Sequence, residues 1–369
     1  MIAIIGAGIG GLAAAIALRA IGVEVRVFEQ APAFKRIGAA INMTSNAVKV
    51  LDGLGLGDQI RETAYTPEYR ISRTWDTGEV TSRVPLGEAA RKRYGTVPLL
   101  LHRADLLTAL ETAVPAGVIE FGKKFADIRD DGDAVELVFE DGSTFVADGV
   151  IGADGIHSMV RDRVFGPEAP AFTGMVAYRS TVPVARAGEG DYSSFVKWWG
   201  PTPKIQIVTF LIDRGRELFV FATTPEEGEA PESWSTTGEV EDLKRFFADF
   251  HVDARAVIEA CDSTLRTALY ERQPLEKWAR GNVVLLGDAC HAMTPFMAQG
   301  AAMGLEDAAV LARCVDAEFD WSAAITRYER TRIGRASDIQ LGSHRNDWLR
   351  EAGNPDWVYG YDAWNTALA

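Results

Sequence analysis

Near the N-terminus, Gly6-Ala7-Gly8-Ile9-Gly10-Gly11 places glycine where a backbone must turn sharply and let a phosphate approach. An apolar strand, Met1–Ile5, runs into this turn, and an alanine-rich helix, Ile9–Ile21, leaves it. In that setting Gly6 permits the tight turn, Gly8 lets the backbone come close to a pyrophosphate, and Gly11 lets helix and strand pack closely. The unpaired N–H groups at the helix start then point at the phosphates. Glu29, eighteen residues beyond Gly11 at the end of a second strand (Glu24–Phe28), offers a carboxylate to both ribose hydroxyls of an adenosine. The combination reads as a dinucleotide site and leaves FAD and NAD both open.

Two later segments have the same strand-to-turn form. Val150-Ile151-Gly152-Ala153-Asp154-Gly155-Ile156-His157-Ser158 ends in an Asp-Gly turn, and Val283-Val284-Leu285-Leu286-Gly287-Asp288-Ala289-Cys290-His291 ends in Gly-Asp. With the first motif, in this order and separation, they resemble the class A FAD-dependent aromatic hydroxylases. That resemblance implies FAD, NADH or NADPH, and O2 as the cofactors. It implies that Gly6, Gly8, Gly11, Glu29 and Gln30 hold the FAD adenylate. Asp154 would contact FAD and the reduced nicotinamide, and Asp288 the ribityl chain. Arg103 would lie near the FAD phosphates, with Arg36 in a flavin loop. The segment Pro295-Phe296-Met297-Ala298-Gln299-Gly300 would lie beside the flavin ring. A helix opening at Ala298–Gly300 would offer backbone donors to the negative charge that reduced flavin carries near N1 and C2=O. The implied reaction is hydroxylation of a small aromatic ring through a flavin C4a-hydroperoxide, which must be kept from water.

The resemblance extends to one branch of that family, the 6-hydroxynicotinate 3-monooxygenases. It is carried by Phe28–Phe34, Pro85–Arg91, Val196-Lys197-Trp198-Trp199, the Asp288–Gly300 loop and Trp357–Asp362. The branch has histidines where this chain has Asn42 and Phe296, another about where Lys204 stands, and a tyrosine about where Val208 stands. Their loss points to a different small aromatic acid: a hydroxy- or aminobenzoate or a pyridine analogue, hydroxylated with or without decarboxylation. Hydroxylation of 6-hydroxynicotinate itself stays as the alternative, and a flavin oxidase or reductase without oxygen insertion is the competing class. Pro295, Lys204, Asn42, Tyr178 and Phe296 are the candidate catalytic-site residues, with Lys204 as partner for a carboxylate. Trp198, Trp199 and Phe210 are candidates for the pocket wall. None of the five histidines is well placed as a substrate base.

The elements that must position these residues read as α/β. A Rossmann-like FAD-binding domain of the glutathione-reductase type is expected over 1–70, 101–171 and 271–315. An inserted substrate domain on a mostly antiparallel sheet is expected over 71–100 and 172–270, and a C-terminal helical segment over 316–369. Within these, helices are expected at Glu239–Phe250 and Ala323–Glu351. A length of 369 residues suits two domains. The formal charge of −14 would repel a nucleic-acid backbone on average. No run of about 18 apolar residues suggests a membrane span. Three cysteines without metal-like spacing read as reduced thiols of a cytoplasmic protein, with no metal expected. The expected partner is a small aromatic substrate, and the family implies a homodimer.

Overall fold

The computed structural model describes residues 1–34, 40–228, 236–318 and 320–369. One sheet has six strands, in the order Ala279–Arg280, Val283–Leu285, Gly149–Gly152, Ile2–Ile5, Val25–Glu29, Ile119–Phe121. All neighbours are parallel except the first pair. Ile2–Ile5, Gly149–Gly152 and Val283–Leu285 are buried at every position. Such continuous apolar runs are what a strand covered on both faces requires. Helices Ile9–Ala20 and Gly300–Ala317 pack on each other beside this sheet.

A second sheet has eight strands, in the order Thr237–Gly238, Thr264–Glu271, Ala171–Pro183, Glu217–Pro225, Gln206–Ile212, Phe195–Trp199, Tyr69–Thr74, Val80–Pro85. Its pairs are antiparallel apart from Phe195–Trp199 with Tyr69–Thr74. The mostly antiparallel sheet expected from the sequence is therefore present. Alternation along the strands gives it two different faces. Val176, Tyr178, Trp198 and Ile207 pack against helices Val240–Phe246 and Val252–Glu259. Ala177, Phe195, Val208, Phe210, Phe219 and Phe221 form the opposite face, with Leu100 and Phe296 upon it.

Two helical expectations need correction. The helix expected over 239–250 ends at Phe246, and a second one starts at Val252 with the His251 ring accepting the Asp253 amide at its N-terminus. The long C-terminal helix is Trp321–Arg345, not Ala323–Glu351. It stops where Asn346 turns left-handed at φ 49, a conformation asparagine tolerates at a helix end. No helix among the described residues is long and apolar enough to cross a membrane.

Helix Trp321–Arg345 is tied to helix Gly300–Ala317 by charges, of which Arg332, Glu306 and Asp307 have no solvent exposure. Arg332 donates to Asp307 and to Glu306, each at 2.8 Å, and Arg335 donates to Glu306 at 2.8 and 2.9 Å. Asp307 also takes the His291 ring N–H at 2.6 Å and the Gly287 amide at 3.0 Å. Burial pushes both carboxyl pKa values up. The guanidiniums of Arg335 and Arg332 outweigh it at Glu306, and His291 with Arg332 outweighs it at Asp307, so both stay below the usual range. Their contribution to stability is thus whole above the unfolded carboxyl pKa of about 4 and is lost as pH falls through the lower folded values. Asp307→Asn should cost about 3–5 kcal/mol at pH 7, as breaking a buried pair does. Urea midpoints should show that loss, and the gap from the unaltered protein should shrink in acid.

Candidate functional site

The parallel register sets Ile5 beside Gly152 and Gly152 beside Leu285. The turns that follow these three strands therefore leave from one edge of the sheet, and they touch. A methyl group placed on Gly6 would lie 2.4 Å from the Ala153 carbonyl oxygen, and one on Gly10 would lie 2.6 Å from Leu286 Cδ2. Gly6 takes φ +103, which a side chain would resist. A methyl group on Gly11 would strike the Gly6 carbonyl oxygen at 2.0 Å, whereas one on Gly8 would meet nothing within 4 Å. The turn is thus closed against the protein at Gly6 and Gly11 and open to a ligand at Gly8. A pyrophosphate suits an opening of this kind, bordered by the start of helix Ile9–Ala20. Glu29 ends the next strand and its two oxygens accept the Ala7 and Ala31 amides at 2.9 and 2.8 Å, which fixes the carboxylate at the lip of the turn. Gln30 follows it and is exposed.

Asp154 accepts the Ser158 hydroxyl at 2.5 Å and the Val160 amide at 3.1 Å, closing the Asp-Gly turn over helix Met159–Phe165. Burial raises its pKa in spite of these donors. Asp288 is exposed at the first position of the short helix Asp288–His291, and the Asp307 bond to the Gly287 amide anchors the turn into that helix from below. Arg103 opens helix Arg103–Ala113; burial lowers its pKa, while the charge of Asp288 acts the other way. The two side chains therefore share one electrostatic neighbourhood. Arg36 lies outside the described residues.

The Pro295–Gly300 loop is a short 3₁₀ turn, Pro295–Met297, followed by Ala298 in the left-handed region at φ 54. That conformation costs an alanine about 1–2 kcal/mol, so neighbours must hold it. Gln299 does so from full burial: its amide nitrogen donates to Thr44 Oγ1 and its oxygen accepts from Asn46 Nδ2, both at 2.8 Å. Asn46 Nδ2 also donates to Glu306, joining this loop to the buried charges. Gly300 starts an 18-residue helix, so its first-turn amides face the groove edge beside Asp288. Pro295 is exposed and Phe296 is buried.

Phe296 packs on the sheet face that holds Phe195, Val208, Phe210, Phe219 and Phe221. Asn42 is half-buried and lines a narrow cavity with Arg70, Phe195 and Tyr359, and its buried Oδ1 has no hydrogen-bond partner. Trp199 faces the same way, beneath the Lys197 ammonium. Three expected residues do not join them. Tyr178 and Trp198 sit at positions of the opposite parity and face the helices behind the sheet. Lys204 is exposed in the turn before strand Gln206–Ile212. Sequence reasoning passed over Lys197, Gln206 and Asn46. Lys197 had a usable signal, since a charge at the inward parity of Phe195 and Trp199 must be buried with them.

The histidines are occupied elsewhere. His102 bonds Glu217, His291 bonds Asp307, His251 stacks on Trp198, His344 lies 3.4 Å from Glu271, and His157 is exposed in the Asp-Gly turn. Cys290, His291 and Asp307 group their ligand atoms within 4.8 Å, but Arg332 and His291 already engage Asp307, and burial pushes the Cys290 thiol pKa up. A surface hollow lined by Glu318, Asp320, Arg327 and Arg330 contains none of the motif residues.

A family described as FAD binding domain matches residues 1–339. A 6-hydroxynicotinate 3-monooxygenase of Bordetella bronchiseptica is 41% identical, covering 100% of this chain and 96% of that protein. A 3-amino-4-hydroxybenzoate 2-monooxygenase of Streptomyces cremeus is 37% identical, covering 93% and 86%. Among solved structures, Klebsiella pneumoniae HpxO complexed with FAD and uric acid superimposes with a TM-score of 0.84 at 29% identity, covering 97% of this chain and 90% of that one.

The glycine geometry separates binding from folding. Gly8→Ala should leave the melting temperature of the cofactor-free protein unchanged and weaken FAD binding at least about tenfold, or 1.4 kcal/mol. Gly11→Ala should lower that melting temperature as well, because the added methyl group has no room.

Proposed function

This chain belongs to the family of flavoprotein monooxygenases that carry the FAD-binding domain and hydroxylate aromatic rings, and on that premise we propose its substrate and the parts its residues play. The substrate is an electron-rich aromatic acid of the amino- or hydroxybenzoate type, and the co-substrates are NADH or NADPH and O2. The observation that carries this reading is the aromatic sheet face closed by Phe296, a residue of the same loop that ends at Gly300. An apolar, water-poor compartment beside a helix N-terminus is what oxygen transfer to a ring needs.

The open peptide at Gly8 and the start of helix Ile9–Ala20 would take the pyrophosphate of FAD, with Glu29 on the adenosine ribose. Asp288 and Arg103 would hold the ribityl and phosphate portion, and the amides opening helix Gly300–Ala317 would face the pyrimidine edge of the ring. Bound there, FAD supplies the electron transfer from the nicotinamide and the activation of O2. The protein's own share is to fix Ala298 and Gln299 through Thr44 and Asn46, and to exclude water with Phe195, Phe210 and Phe296. The histidines at the rims of this face, His102 and His344, are engaged by Glu217 and Glu271. An aniline donates electron density without losing a proton, which suits such a site.

The 41% identity to a 6-hydroxynicotinate enzyme favours that acid as a second reading. A screen of aminobenzoates, hydroxybenzoates and 6-hydroxynicotinate decides between them, following NAD(P)H consumption together with 18O transfer from O2 to product. An amino- or hydroxybenzoate should turn over at least about tenfold more efficiently than 6-hydroxynicotinate, a difference of 1.4 kcal/mol. Coupled turnover of 6-hydroxynicotinate alone would reverse the choice. Hydrogen peroxide as the sole oxygen product with every ring tried would overturn the hydroxylase assignment.

A further inference from the structure

One end of the aromatic sheet face carries a buried lysine, and Arg179 lies farther along the face, 5.5 Å from the centre of the Phe221 ring. The lysine, Lys197, is 2% exposed, with Nζ 3.6 Å from the centre of the Trp199 ring and 5.6 Å from that of Phe296. It donates to Asn346 Oδ1 at 2.9 Å, and no carboxylate among the described residues forms an ion pair with it. Arg70 is buried nearby and gives its guanidinium to the carbonyls of Trp348 and Leu349 and to Ser72, all neutral acceptors. Arg350 lies 5.7 Å from the Trp199 ring. Burial and the charges of Arg70 and Arg350 drive the Lys197 pKa well down, and Asp347 offsets them only in part. Two buried basic side chains, Lys197 and Arg70, thus lie together with the exposed Arg350 and Asp347 at their rim.

Gln206 sits on the neighbouring strand directly opposite Trp199, while Lys197 is opposite Val208. Lys197 and Gln206 are therefore diagonal neighbours on one face, about 7–8 Å apart along the sheet and within reach of long side chains. Gln206 has no solvent exposure, and neither its Oε1 nor its Nε2 has a hydrogen-bond partner. Leaving buried polar groups unpaired is costly, and a primary amide here makes sense when a ligand completes it. Val208 and Phe296 flank Lys197 with apolar side chains beside the two polar ends.

We propose that Lys197, together with the amide of Gln206, binds the carboxylate of the aromatic substrate and so sets the ring against the Phe296 loop. This assignment rests on the aromatic-hydroxylase reading for the ring, and it transfers to Lys197 the role that the sequence suggested for the exposed Lys204. Arg70 and Arg350 add positive potential without touching the anion. The site selects a ring acid over its neutral counterpart.

The test uses the FAD-loaded protein titrated with 3-hydroxybenzoate, 3-amino-4-hydroxybenzoate and 6-hydroxynicotinate, each beside its primary carboxamide, with Kd read from the change in flavin absorbance. At least one acid should bind the unaltered protein about 30-fold tighter than its amide, roughly 2 kcal/mol. Lys197→Met should abolish that preference and leave the amide Kd within about threefold. Gln206→Leu should weaken the acid about three- to tenfold while raising the melting temperature, because two unpaired buried groups are removed. That opposite movement of affinity and stability would not follow from a merely structural glutamine. No acid preference in the unaltered protein, or an undiminished preference in Lys197→Met, overturns the assignment. Should Lys197→Met fail to fold, the acid-to-amide ratio and Gln206→Leu decide it. Acid preference without 18O in any product would leave the anion site standing and refute the hydroxylase reading instead.

Discussion

Parallel pairing of Ile2–Ile5 with Gly149–Gly152, and of Gly149–Gly152 with Val283–Leu285, is the constraint on which the site depends. Parallel strands end on the same edge, so their following turns meet there whatever the length of chain between them. The glycine turn, the Asp154 turn and the Gly287-Asp288 turn become one groove for this reason. At Gly6 the first two turns lie so close that an added methyl group would be 2.4 Å from the Ala153 carbonyl oxygen. Close packing thus enforces the alignment that hydrogen bonding begins.

The buried charges hold the fourth element of the groove. Asp307 reaches the Gly287 amide from helix Gly300–Ala317, and Glu306, one residue earlier, reaches Asn46 and through it Gln299. A single turn of helix therefore governs both the Asp288 turn and the Ala298 loop. Arg332 and Arg335 neutralise the two acids from the C-terminal helix. Beyond Arg345 the chain continues across the sheet edge, where Trp348 and Leu349 accept from Arg70 and Asn346 accepts from Lys197. The C-terminal segment is thus a strap between the groove and the aromatic face.

That face is a product of strand parity. Alternate residues of the Phe195–Trp199 strand point to opposite sides, so Trp198 packs behind the sheet with His251 while Lys197 and Trp199 turn toward Phe296. The same rule takes Tyr178 away from the chamber and keeps Ala177 in it. It leaves an apolar compartment with a polar corner made of Lys197, Gln206 and Arg70.

By itself the sequence determined the α/β class, the glycine turn with Glu29, the Asp-Gly and Gly-Asp segments and the presence of a mostly antiparallel sheet. Each is local: a strand, its turn and its helix start lie within about a dozen residues, and apolar runs or glycine spacing record them directly. Tertiary structure alone decided what lies opposite what. Lys204 and Lys197 are both lysines in or beside apolar strands in the sequence, yet one is exposed in a turn and the other is buried with its ammonium over the Trp199 ring. The Arg332–Asp307–Glu306 cluster and the Asn46–Gln299 bond join residues from distant parts of the chain, and no local pattern encodes such a pairing. Which face of a strand meets the groove, and which charge is stripped of water, depends on the register and on the partner that packs there. Those are properties of the assembled molecule.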